Sequence, residues 1–100
     1  MKVVWRKSAI FSLLDLDKWR ATVELPNISS YLRDSIEAYF YGQDYTIHIP
    51  GRTVFIRNYP VELRMILLSV GKSDPYKVFF RLTNTRVELY LVRHPHQQPL

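Results

Sequence analysis

A chain of 100 residues, 47% of them apolar, is long enough for one hydrophobic core, so residues 1–100 are predicted to form a single domain. The absence of cysteine excludes disulfides, thiolate metal sites and cysteine nucleophiles, and it suits a reducing compartment, so we expect the cytoplasm. The formal charge of +5 favours nucleic acid or an acidic protein as the partner without choosing between them.

The sequence predicts neither a membrane span nor a signal peptide. A spanning helix needs about 20 apolar residues, whereas the longest candidate run, residues 65–70, has only the length of a strand. Near the N-terminus, Ser12 and Asp15 interrupt the apolar stretch, and no small-residue cleavage pattern follows it. We therefore expect a soluble protein without membrane contacts.

The first half of the chain predicts one strand followed by a helix hairpin. Residues 2–6 are rich in strand-forming side chains, and Ser8 follows them as a candidate helix cap. Apolar residues at helical spacing predict a first helix over residues 9–23 and a second over residues 27–41. Pro26 separates the two helices, and so short a link implies an antiparallel hairpin.

The second helix has a candidate residue at each end. Asn27 is a good N-cap residue, because its side-chain oxygen can accept a hydrogen bond from the first turn. Gly42 follows the last periodic residue and is expected to end the helix in the left-handed conformation.

The second half predicts three consecutive antiparallel strands, at residues 63–70, 76–82 and 86–92. Turn residues at 71–75 and 83–85 separate them. The alternation then predicts which residues of the last two strands lie opposite each other. On one side of the sheet the predicted pairs are Arg81 and Glu88, Phe79 and Tyr90, and Lys77 and Val92. On the other side, Phe80 and Leu82 join Leu89 and Val87. The second, apolar side is expected to carry the helix hairpin, which makes the fold α+β.

The stretch from residue 43 to residue 61 is the least patterned. Tyr45, Ile47 and Ile49 alternate, residues 53–56 could return as a strand, and Pro50 with Gly51 forms a turn signal between them. Proline suits the common hairpin turns poorly. An extra hairpin between residues 45 and 57 therefore remains one alternative for this stretch.

Three segments resemble the RelE/ParE toxin superfamily. Residues 74–82, Asp-Pro-Tyr-Lys-Val-Phe-Phe-Arg-Leu, are similar to its Pro-Tyr-x-Val-x-(Tyr/Phe)-Arg-(Val/Ile) strand, and residues 87–94 are similar to the closing strand of ParE-like members. Val3-Val4-Trp5, followed by Ala9 and Leu13, resembles the opening strand and first helix. The chain departs from this pattern in its longer connection between the second helix and residue 63.

The resemblance implies the β-α-α-β-β-β order predicted above and two alternative targets. ParE-like members bind DNA gyrase and block its cycle without chemistry of their own. The ParE-like function is the favoured prediction for this chain. RelE-like members are messenger RNA endoribonucleases that act on the ribosome, using clustered basic residues on the open sheet face and a late Arg. Here Gln97 stands at the position of that late Arg, which disfavours an enzyme.

The candidate target-binding residues are Lys77, Arg81, Tyr90, Arg93, His94 and His96. In the alternative nuclease, the cations would contact the scissile phosphate, and His94, His96 or Tyr90 would transfer protons. Arg64 could join Arg81, Arg93 and the two histidines near one sheet end. For each of these basic residues, a solvated face or a partner contact is the more common explanation.

The remaining polar and aromatic residues favour structural roles. His94 and His96 lie on the same side of an extended chain, but no third ligand recurs nearby, so we expect no metal and no cofactor. His48 has no identifiable partner. Tyr76 could stack on a base but is more commonly a packing residue, and the same holds for Trp5 and Trp19. Glu88 opposite Arg81 indicates a cross-strand ion pair.

The resemblance therefore implies the toxin of a type II toxin–antitoxin system, neutralised by a cognate antitoxin and assembled with it into a complex. Its target would be DNA gyrase, or the ribosome and its messenger in the alternative reading. A third hypothesis is a non-toxic basic interaction module on the same fold, which the long central connection and a tail that carries Pro95-His96-Gln97-Gln98 in place of the late Arg would allow.

Overall fold

The computed structural model describes residues 1–72 and 74–97 and confirms the α+β fold class. A strand and two helices come first, and four strands follow. The elements are β1 (Lys2–Trp5), α1 (Lys7–Thr22), α2 (Ser29–Tyr41), β2 (Arg52–Val54), β3 (Leu63–Leu68), β4 (Tyr76–Leu82) and β5 (Arg86–Arg93). The predicted helices and the four predicted strands therefore form within two residues of their expected bounds.

The strands form one sheet in the order β1-β5-β4-β3-β2. The pairs β2–β3, β3–β4 and β4–β5 are antiparallel, whereas the first and last strands of the chain, β1 and β5, are parallel neighbours. Parallel neighbours need a long connection between them. Here both helices and three strands lie between β1 and β5 in sequence, so β5 can run beside β1 in the same direction.

The helix hairpin covers one face of the sheet, as the apolar pattern predicts. Leu13 and Leu16 from α1, together with Ile36 and Phe40 from α2, are buried with Phe80 in one core cluster. The rings of Phe40 and Phe80 meet edge to face, with centroids 4.7 Å apart. Burial of this size is the main source of stability in a small domain.

The predicted helix caps are wrong at both N-termini and at the C-terminus of α2. α1 begins after Arg6, and Ser8 lies inside the helix, where its Oγ donates to the carbonyl oxygen of Tyr90 at 2.7 Å. α2 begins after Ile28, not after Asn27. Gly42 has φ −84°, a right-handed conformation that does not require glycine.

Asp17 of α1 caps α2 from outside that helix. Its Oδ1 accepts hydrogen bonds from the backbone N–H groups of Ile28 at 2.8 Å and Ser29 at 3.1 Å. These N–H groups have no partners within the helix, so a carboxylate from the neighbouring helix replaces the local cap. Because Asp17 belongs to α1, the same hydrogen bonds also tie the start of α2 to α1.

The predicted register of β4 and β5 is correct for one half of the pair and wrong for the other. Arg81 pairs with Glu88 and Phe80 with Leu89, as expected, but a bulge follows, and Phe79 pairs with Leu91 in place of Tyr90. Lys77 consequently pairs with Arg93, not with Val92. The extra residue places Tyr90 and Leu91 in the same cluster, away from the helices.

Two serines of α1 bond to the backbone on either side of Leu91, next to the bulge. The Oγ of Ser8 donates to the carbonyl of Tyr90, and the Oγ of Ser12 accepts from the N–H of Val92 at 2.9 Å. Four residues separate these serines, so they lie on the same side of the helix. They satisfy buried backbone groups where the strand ladder is irregular.

The long central connection covers part of the second sheet face. Val54, Ile56, Tyr59 and Val61 pack against an apolar cluster of strand residues on that face, namely Leu63, Met65, Phe79, Tyr90 and Leu91. The extra hairpin considered for residues 45–57 does not form. Residues 45–47 make a turn, and β2 pairs with β3.

Within the described residues, neither α1 nor α2 is long and apolar enough to cross a membrane.

Candidate functional site

The basic residues predicted to line a site lie at two ends of the sheet. Lys77 and Arg93 are paired across β4 and β5 at one end, and Arg81 pairs with Glu88 nearer the other. Four residues separate Lys77 from Arg81, or about 13 Å along a strand. The predicted cations therefore do not gather around one point.

Arg64 stabilises a turn. Its Nε donates to the carbonyl of Pro50 at 2.9 Å, and its second guanidinium nitrogen donates to the carbonyl of Gly51 at 2.7 Å. His48 is exposed in the preceding loop. Arg64, in β3, thus bonds to the end of the connection that leads to β2, and His48 lies within that connection.

His94 is buried between aromatic rings on the helix side. Its ring lies 4.7 Å from that of Trp19 and 5.2 Å from that of Tyr76, and its residue is only 9% exposed. Its Nδ1 accepts the backbone N–H of His96 at 3.1 Å. Burial lowers the pKa of His94, and the nearby charges of His96 and Arg20 lower it further against the opposing effect of Asp74.

Residues 94–97, which follow β5, are attached to the fold by polar contacts. The Nε2 of His96 lies 2.7 Å from the Oδ2 of Asp74, and both side chains are mostly exposed. The side-chain carbonyl of Gln97, which replaces the late Arg of the nuclease pattern, accepts the backbone N–H of His94 at 2.8 Å. His94, His96 and Gln97 therefore interact with one another, whereas Lys77 lies on the sheet face opposite to His94.

The aromatic candidates are packed, as the sequence predicts for strand tyrosines. Tyr76 is fully buried, and its hydroxyl accepts a hydrogen bond from Arg20 at 3.1 Å. Tyr90 is 8% exposed, with the Arg6 guanidinium carbon 5.0 Å from its ring centre and the ring of Tyr59 at 6.0 Å. The Nε1 of Trp5 donates to Glu37 at 2.8 Å.

The predicted pair of Arg81 and Glu88 is present as part of a larger cluster. Glu88 is 5% exposed, and its carboxylate oxygens lie 3.5 Å from Arg86, 3.7 Å from Arg6 and 4.0 Å from Arg81. We call these three residues the arginine triad. Sequence reasoning missed two of its members, although Arg86 lies two residues before Glu88 and so shares its strand face.

A groove of about 640 Å³ begins beside Arg6. It lies between the start of α1 and the loop around Tyr59, with Tyr90 also in its lining. Its lining residues are Val4, Trp5, Arg6, Lys7, Ser8, Asn58, Tyr59, Pro60 and Tyr90. They include two cations and no carboxylate, so the groove is basic and partly apolar.

The described residues contain no group of three or more His, Asp or Glu side chains placed to hold a metal ion. No protein family, curated protein or solved structure matches the chain.

Proposed function

We propose that this protein is a ParE-like toxin that binds DNA gyrase and is neutralised by a cognate antitoxin in the cytoplasm. The observation that carries the proposal is that the candidate cation Lys77 and the candidate proton-transfer group His94 lie on opposite faces of the sheet. Lys77 is exposed on the sheet face away from the helices, whereas His94 is buried against Trp19 and Tyr76. Contact with a target needs only the exposed cations.

A nuclease would require more than this arrangement offers. Cleavage through a ribose hydroxyl needs proton transfer at the attacking and leaving oxygens beside the cations that bind the phosphate. Tyr90 is buried beneath Arg6, and His96 faces Asp74 beyond the end of β5. These positions favour binding over RNA cleavage.

The architecture also supports the proposal. A strand, a helix hairpin and three antiparallel strands follow one another in the order that the resemblance implies, with β2 as an addition at the sheet edge. The first motif forms β4 from its Tyr76 onward, and the closing motif lies in β5 up to Arg93, so the two motifs are neighbours inside the sheet.

The test compares two activities of the purified protein without antitoxin. We expect it to inhibit supercoiling of relaxed plasmid by gyrase and to leave messenger RNA intact in a translating extract. Lys77→Ala should weaken the inhibition, because it removes an exposed charge beside the end of β5, whereas Lys72→Ala in the preceding turn should not.

Two results would overturn the proposal. Messenger cleavage that is abolished by His94→Ala or Lys77→Ala in a folded variant would favour the ribosome-dependent nuclease. Unchanged gyrase activity together with normal growth on induced expression would favour the non-toxic interaction module.

A further inference from the structure

The arginine triad holds more positive charge than its central carboxylate neutralises. Arg6, Arg81 and Arg86 surround the single carboxylate of Glu88, which leaves a formal charge of +2 on the four side chains. Each arginine side chain is about half exposed, at 50%, 48% and 49%, while that of Glu88 is 7% exposed. The excess charge therefore faces solvent.

The contacts to Glu88 do not saturate the guanidinium groups. The N–O distances of 3.5 to 4.0 Å exceed the roughly 2.7–2.9 Å of a charge-assisted hydrogen bond. A guanidinium has five N–H donors in a planar fork that matches a carboxylate. The triad thus retains donors for a second, external carboxylate.

The groove extends this charged surface. Arg6 belongs to the triad and also lines the groove, and Lys7 adds a second exposed cation there. Trp5, Tyr59 and Pro60 supply apolar surface beside these cations. The groove and the triad together fit an extended chain in which acidic and apolar side chains alternate.

We propose that the arginine triad and the adjoining groove form the binding site for an acidic peptide segment of a partner protein. The inference rests on the proposed function in one respect, since it takes this partner to be the antitoxin. Carboxylates of the segment contact Arg86 and Arg6, and its apolar side chains lie against Tyr59 and Pro60. Glu88 then acts as an internal competitor that holds the guanidinium groups in position.

The lining of the groove favours a peptide over a nucleic acid. Single-stranded nucleic acids bind through basic grooves in which exposed aromatic rings stack on the bases. Guanidinium groups lie over two of the three aromatic rings in the lining, Arg6 over Tyr90 and Arg33 over Trp5. Those two rings are already occupied, which leaves Tyr59 as the remaining ring of the lining for stacking on a base.

The test uses the full chain and three fluorescein-labelled probes of equal length: octaglutamate, octaglutamine and octauridylate. Binding is measured by fluorescence anisotropy at one ionic strength. We expect octaglutamate to bind more tightly than octauridylate, and octaglutamine not to bind. Arg86→Gln should weaken octaglutamate binding about fivefold, the upper range for one exposed charge pair. The matched control, Arg52→Gln, removes the same charge from the opposite sheet edge and should change the affinity less than twofold.

A substitution of Glu88 gives a change in the opposite direction. Glu88→Gln keeps the shape of the side chain but removes the competing charge, so the affinity for octaglutamate should rise about fivefold. A folding defect would lower the affinity, so it cannot imitate this result. Circular dichroism of each variant checks that it is folded.

Three outcomes would overturn the inference. They are tighter binding of octauridylate than of octaglutamate, equal losses in Arg86→Gln and Arg52→Gln, and unchanged or weaker binding by folded Glu88→Gln. Gyrase inhibition is measured without any of these probes, so the two proposals fail separately. If the chain binds octaglutamate through Arg86 but does not inhibit gyrase, the peptide-binding site is supported and gyrase is excluded as the target.

Discussion

Ionisable side chains within a few residues of one another have very different surroundings in this protein. Glu88 is buried among arginines, His94 is buried between aromatic rings, and His96 is exposed beside Asp74. Their residue types made the two histidines candidates for chemistry and Glu88 a candidate for an ion pair, and their positions decide which of them can meet a ligand. Neighbours from other elements, Arg6 for Glu88 and Trp19 for His94, contribute to these differences.

The lowered pKa of His94 predicts that acid destabilises the fold. Burial, His96 and Arg20 hold its pKa below the ordinary value of 6.5, against Asp74. The unfolded chain regains the ordinary pKa and therefore takes up the proton first as the pH falls. The contribution of neutral His94 to the free energy of unfolding is therefore fully present above pH 6.5. It is lost as the pH falls towards the lower pKa of the folded state.

Urea unfolding at pH 7.5 and pH 5.5 checks this prediction, with His94→Phe as the comparison, since it keeps an aromatic ring and removes the titration. The parent should lose more free energy of unfolding between the two pH values than the variant does. Equal losses would show that other groups cause the pH dependence.

At the scale of elements, sequence periodicity predicted where helices and strands lie but not how some of them are joined. Residues 76–82 were predicted as a strand with the same bounds as β4. The bulge at Tyr90 was missed, because an extra residue leaves a strand as apolar as before and changes only which side chains share a face. The partner of β2 was missed because three residues carry too little pattern to select β3.

The cap formed by Asp17 predicts a matched pair of helix variants. Asp17→Ala removes the acceptor for the N–H groups of Ile28 and Ser29, which should lower the free energy of unfolding by about 1 kcal/mol, as for other caps. Asp15→Ala changes an exposed carboxylate on the same helix and should have a smaller effect. Chemical denaturation measures both, and equal losses would contradict the cap.

Gly51 and Gly71 provide a second matched pair, because both have positive φ, at +79° and +65°. At Gly51 an added Cβ would lie 2.6 Å from the carbonyl oxygen of Met65, whereas at Gly71 nothing lies within 4 Å. Gly71→Ala should therefore lower the free energy of unfolding only by the strain of alanine in the left-handed conformation, about 1–2 kcal/mol. Gly51→Ala should cost more, because the backbone at the start of β2 must also shift.

Denaturation midpoints of the two alanine variants, compared with the parent, measure this difference. A Gly51→Ala variant as stable as Gly71→Ala would show that β2 can move away from β3 at little cost.

For the whole molecule, the sheet separates two apolar clusters, and the sequence predicted only the one beneath the helices. The predicted sheet faces correctly placed Phe80 and Leu89 with the helix hairpin. The candidate site was less predictable, because the arginine triad depends on the parallel pairing of β1 with β5. That pairing brings Arg6 to Glu88 from 82 residues away, and no local pattern in the sequence signals it.

The same substitution at two phenylalanines tests whether the helix-side core holds the whole domain together. Phe80 is fully buried, whereas Phe55 is 82% exposed. Removing a buried phenylalanine side chain costs about 3–5 kcal/mol, and an unpaired buried carboxylate adds several more. A domain of this size has a total stability of only about 5–15 kcal/mol, so Phe80→Asp should not fold.

Phe55→Asp introduces the same charge at the surface and should change the stability by less than about 0.5 kcal/mol. Thermal melts followed by circular dichroism separate the two results. A cooperative melt of Phe80→Asp near that of the parent would mean that the sheet does not depend on the packing of α1 and α2 against it. Because β1 precedes the helices and pairs with β5, loss of that packing should also release β1, and with it the contact between Arg6 and Glu88.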